Sequence, residues 1–226
     1  MLGQTFVVVW EGVDGAGKTT LMKETSRLIS RRGYTVEHYK TPSNSETGKI
    51  AKSIGNSPDV DAFTRMLLFL ANTSADSKII KNIIREKKPN FYFIDRYYLC
   101  SIVYGLALIE KHQNKTFSNQ HLEAIFKLVE ELGDGIFIKP DYYVIVSLED
   151  EEARMRRVMS KDLTEERRYE LDTELQQHVK KHYRYFMEKQ GNKALWVENS
   201  DNLLYKNAES TAEHLIIARS RKVDGK

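Results

Sequence analysis

One cysteine, four prolines and no apolar run longer than six residues mark this chain of 226 residues. Cys100 alone cannot close an intrachain disulfide, so the fold must be held by its core, and the sequence fits a reducing compartment. The longest unbroken apolar stretch, Met66 to Ala71, is far short of the roughly 20 residues that cross a bilayer, so no membrane span is expected. Apolar residues that start at Phe6 break at Glu11 without a basic lead-in or a cleavage pattern; no leader is expected, and the location expected is cytoplasmic. Charge of one sign is scarce too. With 35 basic against 32 acidic residues the net charge is +3, too small an excess to point to a nucleic-acid partner. The basic ending, about 219–226, reads as a frayed, solvated tail. There is no internal repeat, low-complexity tract or Gly/Ser-rich linker. What is present is 41% hydrophobic and 30% charged residues, enough for a packed core and unlike a disordered or collagen-like chain. The length is about one and a half typical domains, and a single domain over 1–226 is expected.

Phe6-Val7-Val8-Val9-Trp10 is a continuous apolar run rich in β-branched residues and followed by glycines, the pattern of a buried strand. A helix is expected from Lys18 to Arg31, stopping at Gly33. Further strands are expected at Tyr34–Tyr39, Phe91–Ile94, Tyr142–Val146 and Ala194–Val197. Phe63, Met66, Leu67 and Leu70, and again Leu122, Ile125, Phe126 and Val129, recur at the spacing of one helix face. Strands alternating with helices call for a parallel sheet covered on both faces.

Gly12-Val13-Asp14-Gly15-Ala16-Gly17-Lys18-Thr19 satisfies the phosphate-loop pattern G-x-x-x-x-G-K-[ST], between an expected strand and an expected helix. Glycines in such a loop let backbone N–H groups turn inward around phosphate oxygens at a helix N-terminus. Lys18 would reach the β- and γ-phosphates and Thr19 would hold Mg²⁺ through its hydroxyl; Thr20 opens the helix beside them. Elimination narrows the chemistry. A guanine-reading Asn-Lys-x-Asp segment is absent: Asn114-Lys115 and Asn192-Lys193 are not followed by an aspartate. The third strand ends Ile94-Asp95-Arg96 and lacks the Asp-Glu of a mechanical ATPase. Asp95 can orient Mg²⁺ through water, and Arg96 offers a planar fork for a second phosphate, which suits a kinase with a phosphorylated acceptor.

Glu11 through Thr20, Leu67-Leu68-Phe69-Leu70-Ala71-Asn72, Asp95-Arg96-Tyr97, Lys139-Pro140-Asp141 and Arg168-Tyr169-Glu170 fall in the order and places of the motifs of thymidylate kinases, and the chain resembles that family from about residue 6 to 170. The resemblance implies an α/β P-loop NTPase three-layer fold with a five-stranded parallel sheet in the order 2-3-1-4-5, flanked by helices, and a helical lid at about 156–172. It implies that Asp14 faces the acceptor sugar and the clamping arginine, that Phe69 stacks on the acceptor base, and that Arg96 holds the acceptor phosphate. Tyr104 would lie against the sugar 2′ position and Tyr169 beside the acceptor. Arg156 would stack on adenine, and Lys161, Arg167 and Arg168 would bring positive charge from the lid. ATP, a nucleoside monophosphate and a second copy of the chain are the implied partners, with Mg²⁺ as cofactor.

Three positions depart from the family pattern. Thr73 stands where an arginine usually reads the thymine carbonyl. Thr41-Pro42-Ser43-Asn44-Ser45 lacks the usual phosphate-binding arginine, although Lys40 and Lys49 are near, and Cys100 replaces a serine. A threonine hydroxyl both donates and accepts, so the enzyme is expected to separate dTMP from dCMP less sharply than arginine-bearing relatives, with Arg65 on the same helix the first alternative base reader if it separates them strongly. The reading reached is transfer of the ATP γ-phosphoryl group to a nucleoside monophosphate, dTMP first among them. A kinase of another (deoxy)nucleotide or of a deoxynucleoside, and a nucleotide-binding homologue without turnover, stay open.

Overall fold

The computed structural model describes residues 5–160 and 168–225. The apolar run at the start becomes β1 (Phe6–Gly12), buried along its whole length. It pairs in parallel with β3 (Phe91–Asp95) on one side and β4 (Tyr142–Ser147) on the other. The outer strands are β2 (Val36–Lys40), against β3, and β5 (Ala194–Glu198), against β4. The sheet order is 2-3-1-4-5, as expected. A strand apolar on both faces is stable only if helices cover both, and that requirement places β1 at the centre. The second strand begins later than Tyr34, because Asn90 Oδ1 holds the Thr35 N–H at 2.9 Å and caps the entry.

On the sheet lie α1 (Lys18–Arg31), at the bounds the sequence suggests, and α9 (Leu204–Val223), packed on each other. Flanking β3 in the chain are α3 (Ala62–Lys87), capped by Asp61, and α4 (Tyr98–Gln113), which meets β1 and is almost wholly buried between α3 and α8 (Thr173–Gln190). The shorter α2 (Glu46–Ser53) precedes α3, α5 (Asn119–Leu132) follows α4, and α6 (Glu151–Met159) and α7 (Arg168–Leu171) precede α8.

Two expectations need correction. The apolar stripe on α3 is not an inward face: Met66 is buried, but Phe63 and Leu67 are 52% and 48% exposed. α3 meets α4 through Met66, which lies so close to Gly105 that a methyl group there would come within 2.5 Å of its sulfur, and this contact turns Phe63 and Leu67 outward. The basic ending is not frayed from residue 219. α9 runs to Val223, Arg219 Nε donates to Asn90 O at 3.1 Å, and Lys222 Nζ pairs with Asp141 at 2.7 Å. Charged side chains that find partners just before β3 and β4 keep the last turns in place.

Candidate active site

The chain between β1 and α1 turns at the C-terminal end of the sheet. Gly12 lies so close to β4 that a Cβ would stand 2.0 Å from the Val146 carbonyl oxygen, and Gly17 has φ of +79°, so both positions demand glycine. Val13 and Ala16 are buried and anchor the loop, while Asn199 donates to the Ala16 carbonyl at 2.8 Å from beyond β5. No side chain caps α1, so its first N–H groups are left for a ligand, an arrangement that favours an anion.

Lys18 Nζ is 3.0 Å from Asp95 Oδ1, and the Thr19 hydroxyl donates to Asp95 Oδ2 at 2.9 Å. Burial opposes ionisation of Asp95, but the positive charges of Lys18 and Arg96 and the hydrogen bonds from Lys18 and Thr19 outweigh it and hold the carboxyl at about 2. The next residue, Arg96, has φ of 68°, a conformation uncommon outside glycine and typical of strained functional positions. Its backbone is pinned on both sides: the N–H donates to Trp10 O at 2.9 Å and the carbonyl accepts from the Thr41 hydroxyl at 2.9 Å. Its guanidinium pairs with Asp14, donates to Cys100 Sγ at 3.0 Å and lies over the Tyr104 ring. Asp14 also accepts from the Tyr104 hydroxyl at 2.7 Å.

Two cavities of about 560 Å³ open on this group. One is lined by Val13, Asp14, Gly15, Gly17, Lys18, Thr19 and Thr20. The other is walled by Phe69, Thr73, Tyr104 and Tyr169, with Arg65 between the rings. Asp14, Lys40, Arg96 and Glu170 line both. The residues expected at the phosphates and those expected at the acceptor thus lie on the two sides of one shared wall.

Arg156 and Arg168 are placed elsewhere. Arg156 is 64% exposed, faces Glu152 and lines neither cavity; its neighbour Arg157 lines the loop-side cavity and donates to Asn199 O at 2.9 Å. Arg168 donates to Ser57 O at 3.0 Å and to the Tyr169 hydroxyl, at the acceptor side and not at the loop. Lys161 and Arg167 lie outside the described residues. Sequence reasoning missed Gln176, which accepts from the Asp14 N–H at 3.0 Å, and Arg154, buried and bridging the Asp14 and Glu170 carbonyls at 3.1 and 2.7 Å. Only the run Arg154, Arg156, Arg157 hinted that an arginine of α6 meets the loop.

Beneath Arg96 the Glu11 carboxylate accepts from Tyr97 N, Cys100 N and the Tyr183 hydroxyl at 2.9, 3.2 and 2.9 Å, joining β1 to α4 and α8. Burial raises its pKa to about 7 in spite of Arg96 and the hydrogen bonds. The folded protein therefore keeps a proton that the unfolded chain releases from pH 4.5 upward, so this group's stabilising share is full below pH 4.5 and is lost as pH rises through about 7. Glu11→Gln has no such proton, and the Tyr183 hydroxyl can turn to accept from its amide. Urea midpoints at pH 4.5 and 8 should show the wild type losing about 3 kcal/mol relative to Glu11→Gln, at 1.36 kcal/mol per pH unit. Parallel curves would refute the assignment.

Comparison with known proteins agrees with this geometry. The profile of the family described as "Thymidylate kinase" matches residues 10–207. A "Probable thymidylate kinase" of Archaeoglobus fulgidus is 30% identical over 66% of this chain and 68% of its own length. One of Methanocaldococcus jannaschii is 32% identical over 71% and 73%, and a "Thymidylate kinase" of Caldicellulosiruptor saccharolyticus is 30% identical over 68% and 69%. With a phosphate loop, an Asp95-Arg96 pair and an aromatic-walled cavity side by side, and a family match over nearly its whole length, the chain belongs to the thymidylate kinase family.

Proposed function

We propose that this protein transfers the γ-phosphoryl group of ATP to dTMP, giving ADP and dTDP. The observation that carries the reading is the shared wall: Asp14, Lys40, Arg96 and Glu170 line both cavities, so a donor held by the loop and an acceptor held beside Phe69 would meet there. A phosphate acceptor is already anionic and needs no strong base, which leaves positioning and charge stabilisation as the work of the protein. Lys18 supplies positive charge at the migrating group, Arg96 grips the acceptor phosphate, and Asp14 holds Arg96 in place. Lys40, at the end of β2 and on both cavities, supplies the cation that the following loop lacks.

The donor set fits Mg²⁺. Asp95 Oδ1 is buried and ion-paired with Lys18 at 3.0 Å, a carboxylate oxygen that can also take a hydrogen bond from metal-bound water, while Thr19 offers its hydroxyl. No cluster of three or more His, Cys, Asp or Glu occurs among the described residues. Bound there, the ion would neutralise charge on the phosphoryl oxygens.

A deoxynucleoside acceptor is less well served. Attack by a neutral hydroxyl benefits from a carboxylate near the end of β2, and the candidate, Glu37, pairs with Lys87 at 3.0 Å and lines neither cavity. ADP release from ATP and Mg²⁺ with a panel of nucleosides and nucleotides tests the proposal. Fastest turnover is expected with dTMP, and no release with any nucleoside monophosphate would sink it. A cytoplasmic homodimer is part of the same reading, supported by the exposed Phe63 and Leu67 on α3 and Ile54 beside α2, with no described helix long and apolar enough to cross a membrane. Sedimentation should give a dimer, and Phe63→Glu with Leu67→Glu should give monomers of unchanged helix content; a wild-type monomer would end that part of it.

A further inference from the structure

Arg65, Phe69 and Thr73 follow one another at i, i+4 and i+8 on the face of α3 that lines the acceptor cavity. The Arg65 guanidinium carbon is 4.5 Å from the ring centroid of Phe69 and 4.5 Å from that of Tyr169, so two aromatic faces hold it. Among the described residues it has no carboxylate partner. Its hydrogen bond is a long one, 3.5 Å to Asn56 Oδ1, and its Nε is buried without a partner. Burial works against its charge and lowers its pKa. A half-buried guanidinium whose Nε is buried without an acceptor carries a cost that a ligand oxygen in the cavity would relieve. Thr73 cannot play that part as a donor: its hydroxyl is committed to the Phe69 carbonyl of its own helix at 2.9 Å.

We propose that Arg65 is the residue that reads the acceptor base, donating to a ring carbonyl oxygen of a pyrimidine stacked on Phe69. The assignment rests on the nucleoside monophosphate kinase reading and names the specificity within it. A guanidinium only donates, so it accepts a carbonyl and opposes the amino group of cytosine. Arg65 thereby restores the discrimination that a threonine at 73 would relax, and it does so from the other end of the same helical stripe. The two rings fix the fork before the nucleotide arrives, which limits the entropy lost on binding.

The test is calorimetric titration with dTMP and with dCMP, without turnover, for the wild type, Arg65→Met and Arg65→Lys, alongside kcat/KM for both nucleotides and KM for ATP. The wild type should prefer dTMP. Arg65→Met should lower the dTMP affinity and kcat/KM by about 10- to 100-fold, the range of a hydrogen bond to a charged group, with dCMP and the KM for ATP little changed. Arg65→Lys, which keeps the charge but not the fork between the rings, should also lose selectivity and serves if Arg65→Met proves unstable in a thermal melt. Equal losses for dTMP and dCMP would assign Arg65 to the phosphate or to structure, and an unchanged ratio would assign the base to another residue; either overturns the inference. Absence of ADP release with dTMP fails the proposed function separately, since the titrations report the base preference without turnover.

Discussion

Lys18→Ala is expected to lower turnover by roughly 100- to 1,000-fold or more, the cost of removing a charge stabiliser aimed at the reacting group. Lys18 is buried and 3.0 Å from Asp95, held where α1 begins and where a phosphate would replace the carboxylate as its partner. The variant should still fold, because Asp95 keeps the hydrogen bond from Thr19 and lies next to Arg96, although loss of one counter-charge raises the Asp95 pKa and costs some stability. The wild-type contribution of Asp95 is present above the ordinary 3.8 and is lost as pH falls through about 2; Lys18→Ala has given up part of that contribution already, so its stability should fall less between pH 7.5 and 3.5 than that of the wild type. Single-turnover rates with saturating ATP and dTMP, together with circular dichroism at pH 7.5 and 3.5, check both parts. A folded variant with near wild-type turnover would show that the loop does not hold the transferred phosphoryl group.

Arg96→Lys should lower kcat/KM for dTMP by about tenfold to a hundredfold while KM for ATP changes little. The side chain faces Asp14, Cys100 and the Tyr104 ring at once, and a planar fork can do that where a single ammonium cannot. The backbone at φ 68° treats arginine and lysine alike, so the substitution isolates the shape of the head group from the strain of the turn. With a lysine, Asp14 also loses its fixed partner and the common wall of the two cavities loosens. Kinetics with dTMP varied at saturating ATP, then the reverse, separate the outcomes. If only the ATP dependence moves, Arg96 serves the donor.

The phosphate loop, the five strands and the Asp95-Arg96 pair were legible because each is written in a local pattern, and the strand order followed from the family resemblance that the ordered motifs carry. Gly12 and Gly17 mark backbone conformations that other residues resist, and the β-branched run before them marks a strand covered on both faces. Arg156 lies outside both cavities for a reason just as local. Consecutive residues on a helix point about 100° apart, and only the rotation of α6 against the loop and Asn199 decides that Arg157, and not Arg156, faces the cavity. The stripe on α3 failed in the same way, since the Met66–Gly105 contact and not the periodicity chose the buried side.

The sequence by itself determined that a loop able to bind phosphate joins a central strand to a helix, and that an arginine follows the acidic end of a neighbouring strand. Those features depend on backbone permissiveness and hydrophobic period, which act over a few residues. Tertiary structure alone decided what surrounds them. Gln176 reaches the Asp14 N–H from 162 residues away and Asn199 reaches the Ala16 carbonyl from 183, while Tyr169 closes the second face of Arg65. Such meetings are set by how helices and loops pack on the finished sheet. Many sequences of the same local pattern could place other side chains there, so the two rings around Arg65 became visible only when α3 and the start of α7 were brought together.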